Sequence, residues 1–167
     1  MPRRRAVAGT LVFLVVVPGV VAVLVPWLLT AWEAGRDRHW VASTAGAALV
    51  VVGVGVLLET FARFVLEGRG TPAPVAPTEN LVVGGLYRHV RNPMYLAVIA
   101  TVVGQALLLW RPVLLAYAAL VAAAMWLFVR AYEEPTLGAR YGSRYVAYRR
   151  SVPGWWPRRR PWADGDG

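Results

Sequence analysis

The sequence predicts an all-α, polytopic membrane protein with four transmembrane helices and a C-terminal amphipathic helix lying at the interface. Three observations carry this expectation. First, 57% of the 167 residues are hydrophobic and 16% are charged, against roughly 45–50% and about 25% in soluble domains. Second, residues 6–32, 39–58, 92–110 and 112–129 contain no Asp, Glu, Lys or Arg. Each approaches the ~20 residues that cross a ~30 Å hydrocarbon layer as a helix. Third, the cations are unevenly placed. All 18 basic residues are arginine. With a cytoplasmic N-terminus, four spans put all of them except Arg36, Arg38 and Arg111 on the cytoplasmic side, as the positive-inside rule requires.

Each element follows from local chemistry. The first apolar stretch follows Arg3, Arg4 and Arg5. It is too long for the apolar core of a signal peptide and lacks a small-residue cleavage site, so it reads as a retained helix. Pro18 and Pro26 are expected to kink it. Residues 33–39 are a short polar loop. The second stretch ends at Glu59 and Arg63, spaced i and i+4, which reads as an interfacial ion pair. Residues 68–77, GRGTPAPVAP, form an extended linker. The chain therefore divides into an N-terminal transmembrane hairpin, 1–66, and a core, 67–167. Within the core, Gly84–Gly85 reads as a turn, Asn92 as a helix N-cap and Pro93 as the first helical residue. Trp110-Arg111-Pro112 joins the third and fourth spans almost directly. That tight hairpin returns the polar segment before Pro93 and the pair Glu133–Glu134 to one membrane surface. Beyond it, Leu137, Tyr141, Tyr145 and Tyr148 recur at intervals of 4, 4 and 3, the pattern of an amphipathic interfacial helix. Trp155, Trp156 and Trp162 are candidate anchors.

Several chemistries are excluded. Without cysteine there is no disulfide, thiolate zinc site or cysteine nucleophile. His39 and His89 fall on opposite sides of the membrane, so no metal site is expected. The net charge of +9 invites a nucleic-acid reading, which four charge-free spans argue against. No phosphate-binding glycine loop is present. Glu133 and Glu134 lie where the fourth span leaves the bilayer, and Arg130 can neutralise one of them. The other reading is a carboxylate that accepts hydrogen bonds from a ligand hydroxyl or amine.

Two segments, LVVGGLYRHVRNPMYL (81–96) and EEPTLGARYGSRYVAYRRSVP (133–153), carry a resemblance to the isoprenylcysteine carboxyl methyltransferase family, to which integral-membrane phospholipid methyltransferases are related. The resemblance covers roughly residues 80–157. It implies methyl transfer from S-adenosyl-L-methionine, giving S-adenosyl-L-homocysteine, in a pocket open to the cytosol. It also implies a lipophilic acceptor, whether a prenylcysteine-like carboxylate, an isoprenoid or a lipid, that arrives through the bilayer. Cofactor contacts are implied at Glu79, Asn80, Leu81 and Val82, largely by backbone, and at Tyr87, Asn92, Tyr95 and Glu133. Asn92 stands where many relatives carry histidine. It can donate and accept hydrogen bonds but cannot carry a shuttled proton. Tyr141-Gly142 matches the family's aromatic-glycine pair, and Tyr145 and Tyr148 match the pair that follows. Arg130 lies near a substrate-contacting arginine of some relatives. Arg130 or Arg91 is the residue expected to orient a carboxylate acceptor. An NADPH-dependent reductase of the sterol-reductase type shares the R-N-P-x-Y stretch, but Met94 before Tyr95 and Leu96-Ala97 after it favour the methyltransferase. The third reading is a non-catalytic membrane protein. The absence of lysine, with arginine and alanine favoured, points to a GC-rich bacterial genome and so to the inner membrane, and the four spans with their charge asymmetry put both termini in the cytoplasm. The expected partners are membrane lipids and the acceptor, with neither nucleic acid nor metal.

Overall fold

The computed structural model describes residues 16–68 and 80–163. Arg3, Arg4, Arg5, Arg69, Glu79, the first part of the first apolar stretch and nearly all of the linker lie outside them. Among the described residues every regular element is helical.

Helix α1 is Val16–Thr30, with a wide π turn at Val20–Leu24. Pro26 explains the turn. It has no N–H, so the carbonyl four residues back loses its helical donor. Side chains of later helices take over: Gln105 Nε2 donates to the Ala22 carbonyl at 2.7 Å and the Tyr117 hydroxyl to the Val21 carbonyl at 2.9 Å. The proline that widens α1 thereby ties it to the next layer.

Helix α2 is Trp40–Arg63 and runs on through a π turn at Phe64–Gly68. Helix α3 is Pro93–Leu109 and α4 is Pro112–Phe128. Trp110, in the left-handed region at φ 54°, closes α3, and the Arg111 N–H reaches back to the Ala106 carbonyl at 3.0 Å. The expected hairpin forms. The 33–39 loop sits on it: the Gly35 N–H donates to the Leu109 carbonyl at 2.7 Å, and Arg111 Nε donates to the Glu33 carbonyl at 2.8 Å.

The most extensive packing joins α2 to α3, across the division at 66/67. Small residues permit it. A Cβ on Gly46 would lie 2.5 Å from the Gly104 carbonyl oxygen, and one on Gly104 would lie 2.8 Å from the Gly46 oxygen. This is the close backbone approach by which helices associate where lipid tails compete for apolar contact. Ala22, Leu57, Phe61, Met94, Val98, Val102 and Ala118 fill the core between the helices. The outer faces are also apolar, with Val51 71%, Leu120 68% and Leu127 60% exposed. Surfaces of that kind call for a nonaqueous environment.

Two helices are long and apolar enough to cross a membrane: α2, and the 40-residue helical run from Pro112 to Ser151. The described part of α1, and α3, are shorter. At 17 residues, α3 is ~26 Å long.

The long run has three parts. Beyond α4 a π turn at Val129–Glu133 leads into α5, Glu134–Ser151. Pro135 accounts for this turn as Pro26 does for the first. At Gly142, with φ 55° and ψ −132°, the backbone leaves the helical region. Its conformation suits glycine because it has no Cβ to clash. The expected single amphipathic helix is thus two short ones, and its aromatic face is not turned to lipid. Tyr145 and Tyr148 are buried against Leu81, Val152 and Trp162. Trp162, expected as an anchor, is 4% exposed and belongs to this second core, whereas Trp156 is 81% exposed.

Candidate functional site

The site is assembled from three segments that meet at the end of the helix layer. The first, residues 80–92, is held by the end of α2. Arg63 bonds Glu59 at 2.8 Å and Glu67 at 2.7 Å, and Glu67 Oε2 accepts from the Gly84 N–H at 2.9 Å. The expected ion pair is therefore one half of a three-residue clamp. Gly85, at φ 55°, starts the tight turn Gly85–Arg88, which carries Tyr87 inward. The Tyr87 ring meets Phe64 edge-on, with centroids 5.9 Å apart.

The second segment is the tail, residues 152–162, which runs alongside 88–92. The Arg91 and Asn92 N–H groups donate to the carbonyls of Pro153 (2.9 Å) and Gly154 (3.2 Å), and the N–H groups of Arg158 and Trp162 donate to those of His89 and Arg88 (both 2.9 Å). His89 Nδ1 pairs with the Arg158 carbonyl at 2.9 Å, so this histidine serves the clasp. Trp155 stacks on Tyr95, with centroids 6.3 Å apart.

The third segment is the end of α4 with α5. The Tyr148 hydroxyl donates to the Tyr87 carbonyl at 2.6 Å, fixing α5 to the first segment.

Between the first and third segments, α1 and α3 lies a cavity of about 540 Å³, within the ~300–1,000 Å³ of small-molecule sites. Its polar end is lined by Tyr87, Arg91, Asn92, Tyr95, Glu133 and Tyr148. Its apolar end is lined by Val17, Val21, Val98, Met125 and Phe128 of α1, α3 and α4. Of the residues that the sequence put forward, Leu81, Val82, Tyr87, Arg91, Asn92, Tyr95 and Glu133 all line this cavity. Asn80 is exposed at its margin and Glu79 lies outside the described residues. Arg130 lines a different hollow, with Arg149 and Arg150.

The two neighbouring carboxylates have different partners. Glu133 Oε2 accepts from the Tyr95 hydroxyl at 2.9 Å. Burial raises the Glu133 pKa above the ordinary carboxylate value, and the Tyr95 hydrogen bond opposes that rise. Glu134 is paired with Arg91 at 2.8 Å, Arg149 at 3.0 Å and Arg130 at 3.4 Å. The arginine at 130 thus neutralises Glu134 and not Glu133. Arg91, with its side chain 13% exposed, is further held by the Val152 carbonyl and the Tyr145 hydroxyl. Burial raises the pKa of Tyr87 and of Tyr148, so both phenols stay neutral. Asn92 caps α3 by position, but its side chain makes no capping bond. Its Nδ2 is buried without a partner, an orphaned donor at the cavity wall.

Phe128, Tyr132, Tyr141, Tyr145 and Tyr148 also line the cavity and were not among the site residues expected from sequence. The spacing of Phe128 and Tyr132 was a usable signal: at i and i+4 on the helix their rings lie 5.2 Å apart. Among the described residues no group of three or more His, Asp or Glu side chains is arranged to hold a metal.

No curated protein and no solved structure matches the chain. Residues 41–144 match the phospholipid methyltransferase family, which is related to the isoprenylcysteine carboxyl methyltransferases that the sequence resembles. The match takes in nearly all of α2, then α3, α4, the turn at Gly85, both glutamates and the start of α5; α1, the end of α5 and the tail lie outside it. The chain belongs to the phospholipid methyltransferase family.

Proposed function

We propose that the protein is an integral-membrane methyltransferase that uses S-adenosyl-L-methionine to methylate a lipophilic acceptor at the cytoplasmic membrane face, with four apolar helices crossing the inner membrane. The observation that carries this reading is a single cavity with a polar end and an apolar end. The polar end suits a nucleoside cofactor, and the apolar end lies among helices with lipid-like outer faces.

The donor set fits the cofactor. Glu133 offers a carboxylate to hydroxyl or ammonium groups, and Asn92 Nδ2 offers a donor that no protein group satisfies. The backbone at Leu81 and Val82 and the rings of Tyr87 and Tyr95 complete the wall. When bound, S-adenosyl-L-methionine supplies a methyl group activated on a sulfonium. The chain's own contribution is alignment and exclusion of water. Tyr95 forms part of the wall, and Trp155 stacks on it. Tyr148 locks α5 over the site through its bond to Tyr87. Arg91 holds the rim through Glu134 and is the one of the two candidate arginines placed to orient an acidic acceptor. Arg130 acts on the rim charge through Glu134.

Titration of the detergent-purified protein with S-adenosyl-L-methionine, S-adenosyl-L-homocysteine and NADPH tests the reading. Saturable binding of the first two is expected. Binding of NADPH alone overturns the proposal in favour of a reductase, and no binding leaves a non-catalytic membrane protein. Transfer of labelled methyl to a membrane extract then identifies the acceptor.

A further inference from the structure

In a straight helix, residues 134 and 149 would lie ~22 Å apart. Arg149 Nη2 is instead 3.0 Å from Glu134 Oε2, because the chain turns back at Gly142. The inside of that bend is a second hollow, of about 620 Å³. Arg130, Arg149 and Arg150 line it beside Glu134, over a floor formed by Pro135, Gly138 and Ala139. The floor is open: a Cβ added at Gly138 would meet only Tyr145 within 4 Å, at 3.9 Å.

We propose that this cleft binds the phosphate group of an anionic membrane lipid. Three guanidiniums face one carboxylate, and Arg91 already shares that carboxylate from the other side. The lining is therefore net positive, and like charges held together by the fold favour an incoming anion. Arg130 and Arg149 each use one nitrogen on Glu134. Each guanidinium carries five N–H donors in a planar fork that matches phosphate oxygens. Position selects a lipid as the source. Arg130 is the first charged residue after the charge-free run 112–129, which puts the cleft at headgroup depth. Leu127, three residues before it, is 60% exposed, and the half-exposed Val146 lines the cleft, an apolar margin for acyl chains. The inference does not depend on methyl transfer.

The test is calorimetric titration of the full-length protein, in neutral detergent, with dihexanoyl-phosphatidylglycerol. One saturable site is expected. Arg149→Gln with Arg150→Gln should weaken it at least 10-fold (~1.4 kcal/mol per decade). The control pair Arg159→Gln with Arg160→Gln removes the same charge outside the cleft and should change it less than about 2-fold. Equal weakening by both pairs, or no saturable site, overturns the proposal. Displacement of the lipid by inorganic phosphate at equal concentration overturns the lipid source. If the double variant does not fold, Arg150→Gln alone carries the test, with a weakening of about 3-fold or more expected. S-adenosyl-L-methionine titration of the same samples reads the methyltransferase proposal separately.

Discussion

The aromatic cavity and the arginine cleft are separated by one peptide step, from Glu133 to Glu134. On one side, a carboxylate meets a single neutral partner, Tyr95, inside a wall of tyrosines. On the other, a carboxylate is shared by three arginines. The contrast follows from the charge of the proposed ligands. A sulfonium donor is cationic, and a guanidinium with an uncompensated charge would repel it at close range. Arg91 and Arg140 line the cavity: Glu134 offsets the charge of Arg91, and the exposed Arg140 lies over the Tyr141 ring. Glu133 is left as the negative group that faces the donor. Arg130, Arg149 and Arg150 are gathered in the cleft, where an anion is the natural guest.

Three substitutions test this division. The largest effect is expected for Glu133→Ala. Removing the carboxylate should lower S-adenosyl-L-homocysteine affinity by about 100-fold, the scale of charge-assisted hydrogen bonds lost from a buried site. The melting temperature should hold, because a buried carboxylate is costly to keep charged. Undiminished affinity by calorimetry would remove Glu133 from the site.

Glu134→Gln should do the reverse. It leaves Arg91 charged, buried and without its carboxylate, which costs about 2–3 kcal/mol, at the low end for a broken buried pair. That is a fall in melting temperature of about 5–10 °C. A melting curve superimposable on that of the wild type would show that the arginine cluster stands without Glu134.

Tyr95→Phe gives the smallest effect, about 5-fold in cofactor affinity at neutral pH, the worth of one hydrogen bond. It also has a pH signature. Glu133 has a raised pKa, so it is charged only above that raised value, and cofactor affinity should fall as the pH drops through it. The Tyr95 hydroxyl lowers this pKa, so its loss should move the midpoint to higher pH. A midpoint that moves down would contradict the assignment.

Much of this was legible in the sequence. Charge-free runs marked the helices, and the short link at Trp110-Arg111-Pro112 brought residues 80–92 to Glu133 by geometry alone. Harder to read were features set by backbone phase or by distant contacts. Which glutamate Arg130 neutralises is open from spacing alone, because i,i+3 and i,i+4 neighbours both face it; the fold gives Glu133 to Tyr95 and leaves Glu134 to the arginines. The reversal at Gly142 is hidden because Tyr141, Tyr145 and Tyr148 keep a helical spacing across it. The docking of Trp162 on Arg88 spans 74 positions and has no local signal. Four spans were expected, and the two that satisfy length outright are the ones whose helices run past their apolar stretches.

The clasp between residues 88–92 and 152–162 also sets an order of events during biosynthesis. The partners of Arg88 and Arg91 lie 74 and 61 residues further along the chain. When residues 88–92 leave the ribosome, the carbonyls and N–H groups that will satisfy them do not yet exist. Helices α3 and α4 must form and α5 must turn back at Gly142 before the tail can arrive. A nascent chain halted before residue 152 would thus carry every described residue that lines the cavity and still lack the tail that clasps residues 88–92. The clasp therefore closes last, and residues 88–92 gain these partners only once the tail has been made.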